Sequence, residues 1–541
     1  MPVTGLQPML GRLLLLTGAC CVAALLWPIP TTPAAPESMD DRLLAGKREY
    51  LRDLQTGAQS TGPNVLLILA DDLSPYDLSS NGASGIPTPN LDALAAGGVS
   101  FDNAYANAAI CAPSRAALLT GRYQNRFGFE SQPMQRYVRN LGEYLGFRYL
   151  IDTDAMRPFL QSSYPDTTQR SRQGLPAGEI SLAEVFAAKG YATGIFGKWH
   201  LGYGPSNGPG HFGFQTRYGF REAFTLYALP GTPDIIDHTQ DLFWERHIRD
   251  MGRDGPSRIT RNDEPIEEDR YLTDAIVEET RHFIIEAGNR GQPFFAYVPF
   301  SAPHTPFQAR SEDYEAIDPG LDRNHRVYAA MIRRLDRGVG ELVNALAERQ
   351  LLNDTLIIFS SDNGGADYTG ATGNGPLRGG KFTQFEGGLR VPLIIYHAGT
   401  LAARTDPRPV LLSDLFATLL SQLDVRASTD RVYDSADLLG RQHHTETAAA
   451  QRMLFWRSDF NRAVRDGRWK LLENRNSHQV LLFDLDKDPG ERLDLSAREP
   501  DRVRVLLEAL DVWEQDMQPA RWPRVMDYEF TDESGSHWFA I

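Results

Sequence analysis

The sequence predicts an α/β fold: a large, mixed but mostly parallel β-sheet sandwiched between helices, plus a small C-terminal α+β domain with a short antiparallel sheet. Four short apolar runs are rich in β-branched and aromatic residues and lack polar alternation, as is typical of strands buried on both faces. Helical patterns separate these runs along the chain. After about residue 425, short strand patterns and a final helix near residues 499–516 replace them.

Each of the four predicted strands stops at polar residues. They are residues 65–69, followed by Asp71 and Asp72; residues 192–196, followed by Lys198 and His200; residues 294–300, followed by His304; and residues 356–359, followed by Asp362 and Asn363. Taken singly, each could be an Asx turn, an ordinary turn or a structural histidine. Ligand sites in open α/β sheets form beyond the carboxyl ends of the strands, so four such endings together favour one shared site.

The helices are predicted from their periodicity and caps. Ser181 and Glu184 form a capping box for a helix that ends at Gly190. A longer helix is expected over about residues 324–349, and another over 411–420. Residues 405–409 contain two prolines, and we expect them to form a linker near the end of the large domain.

Cys111 stands directly before another predicted helix, which has Pro113 in its first turn. Orphan amide groups and the helix dipole attract anions at such an N-terminus, and Arg115 and Arg122 add positive charge. An unreactive buried cysteine is the alternative for this residue taken alone.

The composition excludes several classes of partner. The chain has 541 residues, which is ample for a sizeable core, and a formal net charge of −15. This acidity argues against nucleic acid or an anionic membrane as a general partner. An anionic substrate would therefore need a local basic site.

The N-terminal residues 1–35 resemble an export signal, with Arg12 before an apolar run and a small-residue stretch after it. An uncleaved anchor is the alternative, and lipidation at Cys20 or Cys21 is less favoured because the apolar run continues past them. Removal of the signal would leave Cys111 as the single cysteine. We expect a periplasmic or secreted protein.

The polar residues at the strand ends suggest a metal site. Asp71, Asp72, Asp362 and Asn363 are oxygen ligands without an accompanying Cys/His cluster, which suits Ca²⁺ or Mg²⁺ rather than zinc. Lys198, Lys381 and Arg115 can neutralise the oxygens of an anionic group. His200 and His304 are the candidate proton carriers.

The run Cys111-Ala112-Pro113-Ser114-Arg115 resembles the signature of the sulfatases, a family of the alkaline phosphatase-like superfamily. Further segments are similar to the family's metal, lysine–histidine, second-histidine, lysine-loop and C-terminal segments: residues 63–73, 197–202, 302–304, 361–365, 378–381, 386–392, 463–471 and 482–491. The resemblance covers about residues 62–515. It implies a catalytic domain at 60–424 and a small C-terminal domain at 425–541.

The resemblance also implies a mechanism. A maturation enzyme would convert Cys111 to formylglycine, whose hydrate would be held by calcium together with Asp71, Asp72, Asp362 and Asn363. Asp362 would deprotonate the attacking hydroxyl, and His304 or Lys381 would protonate the leaving alcohol. His200 would then take a proton from the second hydroxyl to release sulfate, with Arg115 and Lys198 completing the catalytic set.

Two other functions remain open at this stage. One is a phosphate or phosphonate monoester hydrolase of the same fold, and the other is an inactive protein that binds sulfated glycans. The arginines at positions 136, 139, 148, 157, 170 and 172 predict a sulfated carbohydrate substrate admitted by a basic segment, with a solvated helix surface as the alternative. The sequence does not define the oligomeric state.

Overall fold

The computed structural model describes residues 28–29, 31–32, 38–57, 62–83, 85–133, 137–440 and 452–541. Most of the predicted export signal at 1–35 lies outside the described residues, and so does Arg136. In the described ranges, no helix combines the length and apolar character that a membrane crossing requires.

The β-strands are distributed over the described part of the chain from residue 31 to residue 540. In chain order they are β1 (Thr31–Thr32), β2 (Asn64–Ala70), β3 (Val99–Tyr105), β4 (Met156–Pro158), β5 (Tyr164–Pro165), β6 (Ala192–Lys198), β7 (Thr216–Phe220), β8 (Ile235–His238), β9 (Thr260–Arg261), β10 (Glu264–Pro265), β11 (Phe294–Pro299), β12 (Phe307–Arg310), β13 (Thr355–Ser361), β14 (Leu393–Tyr396), β15 (Arg404–Leu411), β16 (Leu454–Ser458), β17 (Asn461–Asp466), β18 (Trp469–Asn474), β19 (Gln479–Asp484), β20 (Met526–Asp532) and β21 (Gly535–Ala540).

Helices alternate with these strands and cover the faces of the main sheet. The α-helices are Ser38–Thr56, Pro89–Gly97, Cys111–Thr120, Leu141–Tyr149, Thr167–Arg172, Leu182–Ala188, Phe243–Met251, Leu272–Asn289, Ser311–Glu315, Arg323–Glu348, Glu386–Leu389, Asp414–Gln422 and Pro500–Glu514. The helix Arg323–Glu348 confirms the long predicted helix. The predicted capping box of Ser181 and Glu184 is also confirmed.

The main sheet has ten strands in the order β10-β9-β7-β6-β11-β2-β13-β14-β3-β15. The central run β7-β6-β11-β2-β13 is parallel throughout. The strand β14 is antiparallel to both of its neighbours, and β15 returns to parallel pairing with β3. The prediction of a mixed, mostly parallel sheet is therefore confirmed.

The alternating side chains of β2 explain why its sequence is continuously apolar. Leu66 and Ile68 belong to one buried hydrophobic cluster, whereas Val65, Leu67 and Leu69 belong to another. Both faces of the strand are thus covered by helices, and burial of every side chain removes the polar alternation expected of a half-exposed strand.

One sequence-based expectation is wrong. Residues 405–409 are not a linker but form part of β15, which pairs with β3 at the edge of the main sheet. The register shifts between Asp406 and Pro409, and this irregularity accommodates the prolines. An edge strand tolerates proline because one side of its backbone needs no partner.

The C-terminal part contains a four-stranded antiparallel sheet, β16-β17-β18-β19, as predicted for a small α+β unit. The last two strands belong to a different sheet, in which β20 pairs with β4 from the middle of the chain. The boundary between 60–424 and 425–541 stays a prediction, because pairing of β20 with β4 connects the two ranges.

Candidate active site

The four predicted strand endings meet at one edge of the sheet, because β6, β11, β2 and β13 are adjacent and parallel. Asp71 and Asp72 follow β2, and Asp362 and Asn363 follow β13. Asp72 and His200 adopt positive φ angles of 65° and 59°, which turn their backbones away from the strand direction. Such conformations are uncommon for residues other than glycine and recur at functional sites.

Cys111 is the first residue of the helix Cys111–Thr120, every residue of which is buried. Its Sγ lies 3.4 Å from Asp71 Oδ1 and 4.0 Å from Asp72 Oδ1. Pro113 lies in the first turn, as predicted. The helix therefore carries the side chain of residue 111 to the two carboxylates that end β2.

Cationic side chains surround these carboxylates. Arg115 Nε donates to Asp362 Oδ2 at 2.7 Å, and Lys198 Nζ lies 2.6 Å from Asp71 Oδ2. Lys381 Nζ lies 2.9 Å from Asp72 Oδ2. We refer to these residues with Cys111, His200, His304 and Asn363 as the polar cluster. It contains all of the predicted catalytic and metal residues.

The pKa values of the two aspartates reflect this pairing. Burial alone would raise the pKa of Asp71, but Lys198, His304 and Arg115 outweigh it, and the pKa lies below its ordinary value. Burial likewise opposes Lys381 and His304 at Asp72, and the pKa of Asp72 is also lowered. Both carboxylates are therefore ionised near neutral pH, as metal binding requires.

The pKa of the Cys111 thiol is shifted in the opposite direction. Burial raises this pKa well above its ordinary value, and the neighbouring Asp362 and Asp71 raise it further. A thiol in this setting stays protonated and is a poor nucleophile. The raised pKa of the thiol thus disfavours thiolate attack by an unmodified Cys111.

The two histidines differ in their hydrogen bonds. Both ring nitrogens of His200 are buried and have no hydrogen-bond partner among the described residues. Burial lowers the pKa of His200 well below its ordinary value, and Lys198 and Arg115 lower it further. His200 is consequently a neutral imidazole with an available acceptor nitrogen.

His304 is held in one tautomer. Its Nδ1 lies 2.6 Å from the carbonyl oxygen of Thr305, which can only accept, so Nδ1 carries the hydrogen. Its Nε2 faces Asp72 Oδ2 at 3.6 Å. Burial and then Lys381 lower the pKa of His304. The available nitrogen of His304 therefore points toward the carboxylates.

The polar cluster fits a hard divalent cation. Ligand atoms of Asp71, Asp72, Cys111 and His304 lie within 4.8 Å of one another, and all four residues are buried. Asn363 Nδ2 donates to Asp72 Oδ1 at 2.7 Å, whereas Asn363 Oδ1 is buried and has no partner in the described structure. The carboxylate and amide oxygens match the ligand preference of Ca²⁺ or Mg²⁺. The thiol of Cys111 and the imidazole of His304 are groups that zinc also binds, and His304 was not among the metal ligands expected from the sequence.

A cavity of about 350 Å³ opens onto the polar cluster at His304 and Lys381. We call it the adjoining cavity. Its walls include Trp244 from the helix Phe243–Met251 and Met526 from β20. Part of the segment between residues 202 and 268, which contains Trp244, therefore lines the cavity.

The segment from residue 136 to residue 172, which we call the arginine-rich segment, was expected to admit the substrate, but its described arginines do not line this cavity. Among its described arginines, at positions 139, 148, 157, 170 and 172, none lies in the cavity wall. Arg139 forms an ion pair with Glu143, and the Arg139 side chain is 74% exposed. Arg157 instead donates to the backbone carbonyl of Met156. The segment reaches the cavity through the apolar side chain of Met156.

Several cavity residues were not identified from the sequence. Tyr368 and Phe382 stack on each other with ring centroids 5.4 Å apart, and Val525 and Met526 come from the far C-terminal region. Phe382 directly follows Lys381 and has a φ of 78°, so its position beside a predicted site residue was the available signal. No local pattern marked Val525 or Met526.

The comparisons with known proteins agree with this geometry. The family model described as Sulfatase matches residues 63–425. N-acetylgalactosamine-6-sulfatase of Canis lupus familiaris is 30% identical over 489 residues, covering 84% of this chain and 85% of the relative. Arylsulfatase A of Homo sapiens is 31% identical over 492 residues, covering 84% of this chain and 87% of the relative.

Among solved structures, the chain is similar to Ps i-CgsB in complex with k-i-k-neocarrahexaose. The TM-score is 0.71 at 29% identity, and the alignment covers 85% of this chain and 95% of that one. The family model spans well over half of the chain, and its range contains the whole polar cluster. This chain belongs to the sulfatase family and is a sulfatase.

Proposed function

We propose that this sulfatase hydrolyses sulfate monoesters of carbohydrate, using formylglycine formed from Cys111 and one bound calcium ion. The observation that supports this proposal most strongly is the buried polar cluster. In it, Cys111 Sγ lies 3.4 Å from Asp71 Oδ1, beside carboxylates that are paired with lysines. In a chain with a net charge of −15, this cluster provides the local basic groups that an anionic sulfate needs.

Asp71, Asp72, Asp362 and Asn363 would hold the calcium ion, together with residue 111. The unpartnered Asn363 Oδ1 and the ionised pair Asp71 and Asp72 support this assignment. When bound, the ion would polarise the sulfate group, and the formylglycine hydrate would supply the nucleophilic hydroxyl.

Lys198 and Lys381 hold the sulfate oxygens in this proposal. Burial opposes the charge of Lys381, but the neighbouring carboxylate of Asp72 outweighs it, so the pKa of Lys381 lies well above its ordinary value. A lysine with a raised pKa keeps its charge and gives up a proton reluctantly. It therefore suits electrostatic stabilisation better than acid catalysis.

Proton transfer falls to Asp362 and the two histidines. Asp362 Oδ1 lies outside the Arg115 ion pair, and we assign it the first proton. His304 donates from Nε2 to the leaving alcohol after the anionic substrate raises its lowered pKa. His200 accepts the final proton, because it is a neutral imidazole with no competing hydrogen-bond partner in the described structure.

Several observations support a carbohydrate substrate. The similar proteins include an N-acetylgalactosamine-6-sulfatase and a structure solved with a carrageenan-type oligosaccharide. The adjoining cavity, at about 350 Å³, can take a sugar-sized leaving group. We further propose that the chain is exported and that a maturation enzyme modifies Cys111.

The experiment is mass spectrometry of the peptide that contains Cys111, combined with kinetics on matched aryl sulfate and aryl phosphate esters. We expect the formylglycine mass and a higher kcat/KM for the sulfate. An intact thiol in active protein would contradict the modification, and its presence in an inactive protein would favour a glycan-binding role. A higher kcat/KM for the phosphate would instead support a phosphoester hydrolase.

A further inference from the structure

We propose that the adjoining cavity selects a leaving alcohol that is uncharged and presents an apolar face, so that a second anionic group beside the cleaved sulfate is disfavoured. This inference rests on the proposed function and adds a selection rule to it. It follows from the side chains that line the cavity beyond the polar cluster.

The first observation is the shortage of cations in the wall. Among the described residues that line the cavity, Lys381 is the only lysine or arginine. Its Nζ is already 2.9 Å from Asp72 Oδ2. Glu222 and Glu245 also line the cavity, together with His247 and His304, and Glu245 is paired with Arg249 behind the wall. A second sulfate or carboxylate on the leaving alcohol would meet repulsion there.

The second observation is the pattern of hydrogen bonds on the helix Phe243–Met251. Glu245 Oε1 accepts from Arg249, whereas Glu245 Oε2 is buried and has no hydrogen-bond partner among the described residues. The Nε1–H of Trp244, the preceding residue, is likewise buried and unpaired in the described structure. Both atoms are closed to solvent, so Glu245 acts on a bound group only through its charge, part of which Arg249 balances.

The third observation is the apolar character of the remaining wall. Met251, Met526, Tyr368 and Phe382 all contribute to it. Aromatic and thioether groups pack against C–H surfaces, such as the apolar face of a sugar ring, but cannot replace the water around a sulfate. The wall therefore favours contact with an uncharged, C–H-rich face of the leaving alcohol.

The test uses two phenyl sulfates that differ in one meta substituent, a carboxamide in one and a carboxylate in the other. For each, kcat/KM is divided by the rate of uncatalysed hydrolysis, and the ratio of the two values measures charge selection. We expect the chain without substitutions, carrying formylglycine, to favour the carboxamide by about tenfold, which corresponds to ~1.4 kcal/mol.

A positive charge in the wall should reduce this selection. Met251 lines the cavity and is half-buried at the end of its helix, where a lysine can extend its ammonium group along the cavity wall and complement the helix dipole. Met251→Lys should lower the ratio about tenfold. Val512→Lys is the matched control, because Val512 is 66% exposed near the end of the helix Pro500–Glu514 and does not line the cavity.

Met526→Lys places the same charge on β20, another part of the cavity wall, and replaces Met251→Lys in the test if that variant fails to fold. For the chain without substitutions, a carboxamide-to-carboxylate ratio near one, or a preference for the carboxylate, would overturn the inference while leaving sulfate ester hydrolysis intact. Equal ratios for Met251→Lys and Val512→Lys would overturn it as well. Failure to hydrolyse either ester, in protein carrying formylglycine, would overturn the proposed function and the inference together.

Discussion

The polar cluster and the adjoining cavity are neighbours with opposite physical character. In the cluster, buried charges are paired at short distances, such as Lys198 Nζ to Asp71 Oδ2 at 2.6 Å. In the cavity wall, apolar groups such as Met251 and Phe382 dominate. Most of the cluster comes from strand ends and one helix start, whereas the wall comes from the helix Phe243–Met251, from loops and from the late strand β20. This contrast separates the groups that handle sulfate from those that select the alcohol.

The largest expected effect is at the nucleophile position. Cys111→Ala should reduce kcat/KM on the order of 10⁴-fold or more, because it removes the group that would attack sulfur. Thermal unfolding should change little, since the substitution removes a single small side-chain atom. Thr120→Ala, at the far end of the same buried helix, is the control and should retain activity. Substantial activity in purified Cys111→Ala would rule out the formylglycine mechanism.

Removal of the metal should be nearly as severe. Exhaustive chelation should abolish activity and lower the Tm, because a ligand at 100 times its Kd stabilises the fold by about 2.7 kcal/mol. Calcium should restore both. Asp72→Asn should lose the calcium response, whereas Asp77→Asn, a buried carboxylate outside the cluster, should keep it. Full activity with no detectable metal, or stoichiometric zinc, would contradict the assignment.

Asp77 offers a contrast with the paired carboxylates, because its hydrogen-bond donors are neutral. It accepts from the Tyr328 hydroxyl at 2.7 Å and from the Thr372 hydroxyl at 3.0 Å. Burial outweighs these bonds and raises the pKa of Asp77 from 3.8 to about 6. The folded state thus binds the proton more tightly than the unfolded state does, and stability is lost as the pH rises from about 4 to about 6.

That pKa difference corresponds to about 3 kcal/mol of unfolding free energy. Asp77→Asn should remove this part of the pH dependence, as measured by urea unfolding at pH values below 4 and above 6. Asp501→Asn is the control, since its side chain is 97% exposed. If the Asp77→Asn and wild-type stability curves ran parallel across that range, Asp77 would not titrate as described.

A smaller effect on activity is expected from substitution of Trp244 in the wall of the adjoining cavity. Trp244→Ala should raise KM for a sulfated sugar by up to about tenfold, because an aromatic contact contributes about 0.5–1.5 kcal/mol beyond its buried area. The kcat should change by less than about twofold, since Trp244 is not part of the polar cluster. Trp469→Ala, in β18 of the C-terminal sheet, is the control. An equal loss in kcat would place Trp244 with the cluster instead.

The smallest effect is expected for the arginine-rich segment. Arg139→Gln and Arg148→Gln should alter kcat/KM for a sulfated oligosaccharide by less than about twofold, because neither residue lines the cavity and exposed charges are screened. Lys381→Met, measured alongside, should lower kcat strongly. A several-fold rise in KM for the arginine variants would restore this segment as an entrance for polyanions.

Most members of the cluster follow a local pattern in the sequence, whereas Lys381 was supported by the resemblance of its loop to the family's lysine loop. Asp71 and Asp72 end a continuously apolar strand, and Cys111 precedes a proline-opened helix. The parallel pairing of β2 with β11 and β13 then brings these endings together. The edge strand β15 was mistaken for a linker, because its prolines suggest a break and only its pairing with β3 defines it as a strand.

By itself, the sequence determined the α/β class and predicted the strand-end and helix-start residues that meet in the polar cluster, because strand burial and helix starts depend on short-range periodicity. Only the tertiary structure decided which residues line the adjoining cavity. Met526 reaches the cavity because β20 pairs with β4, across more than 350 residues of chain. It also decided that the described arginines lie elsewhere. Which side chains meet across such a distance depends on packing of the whole fold, and no local pattern encodes it.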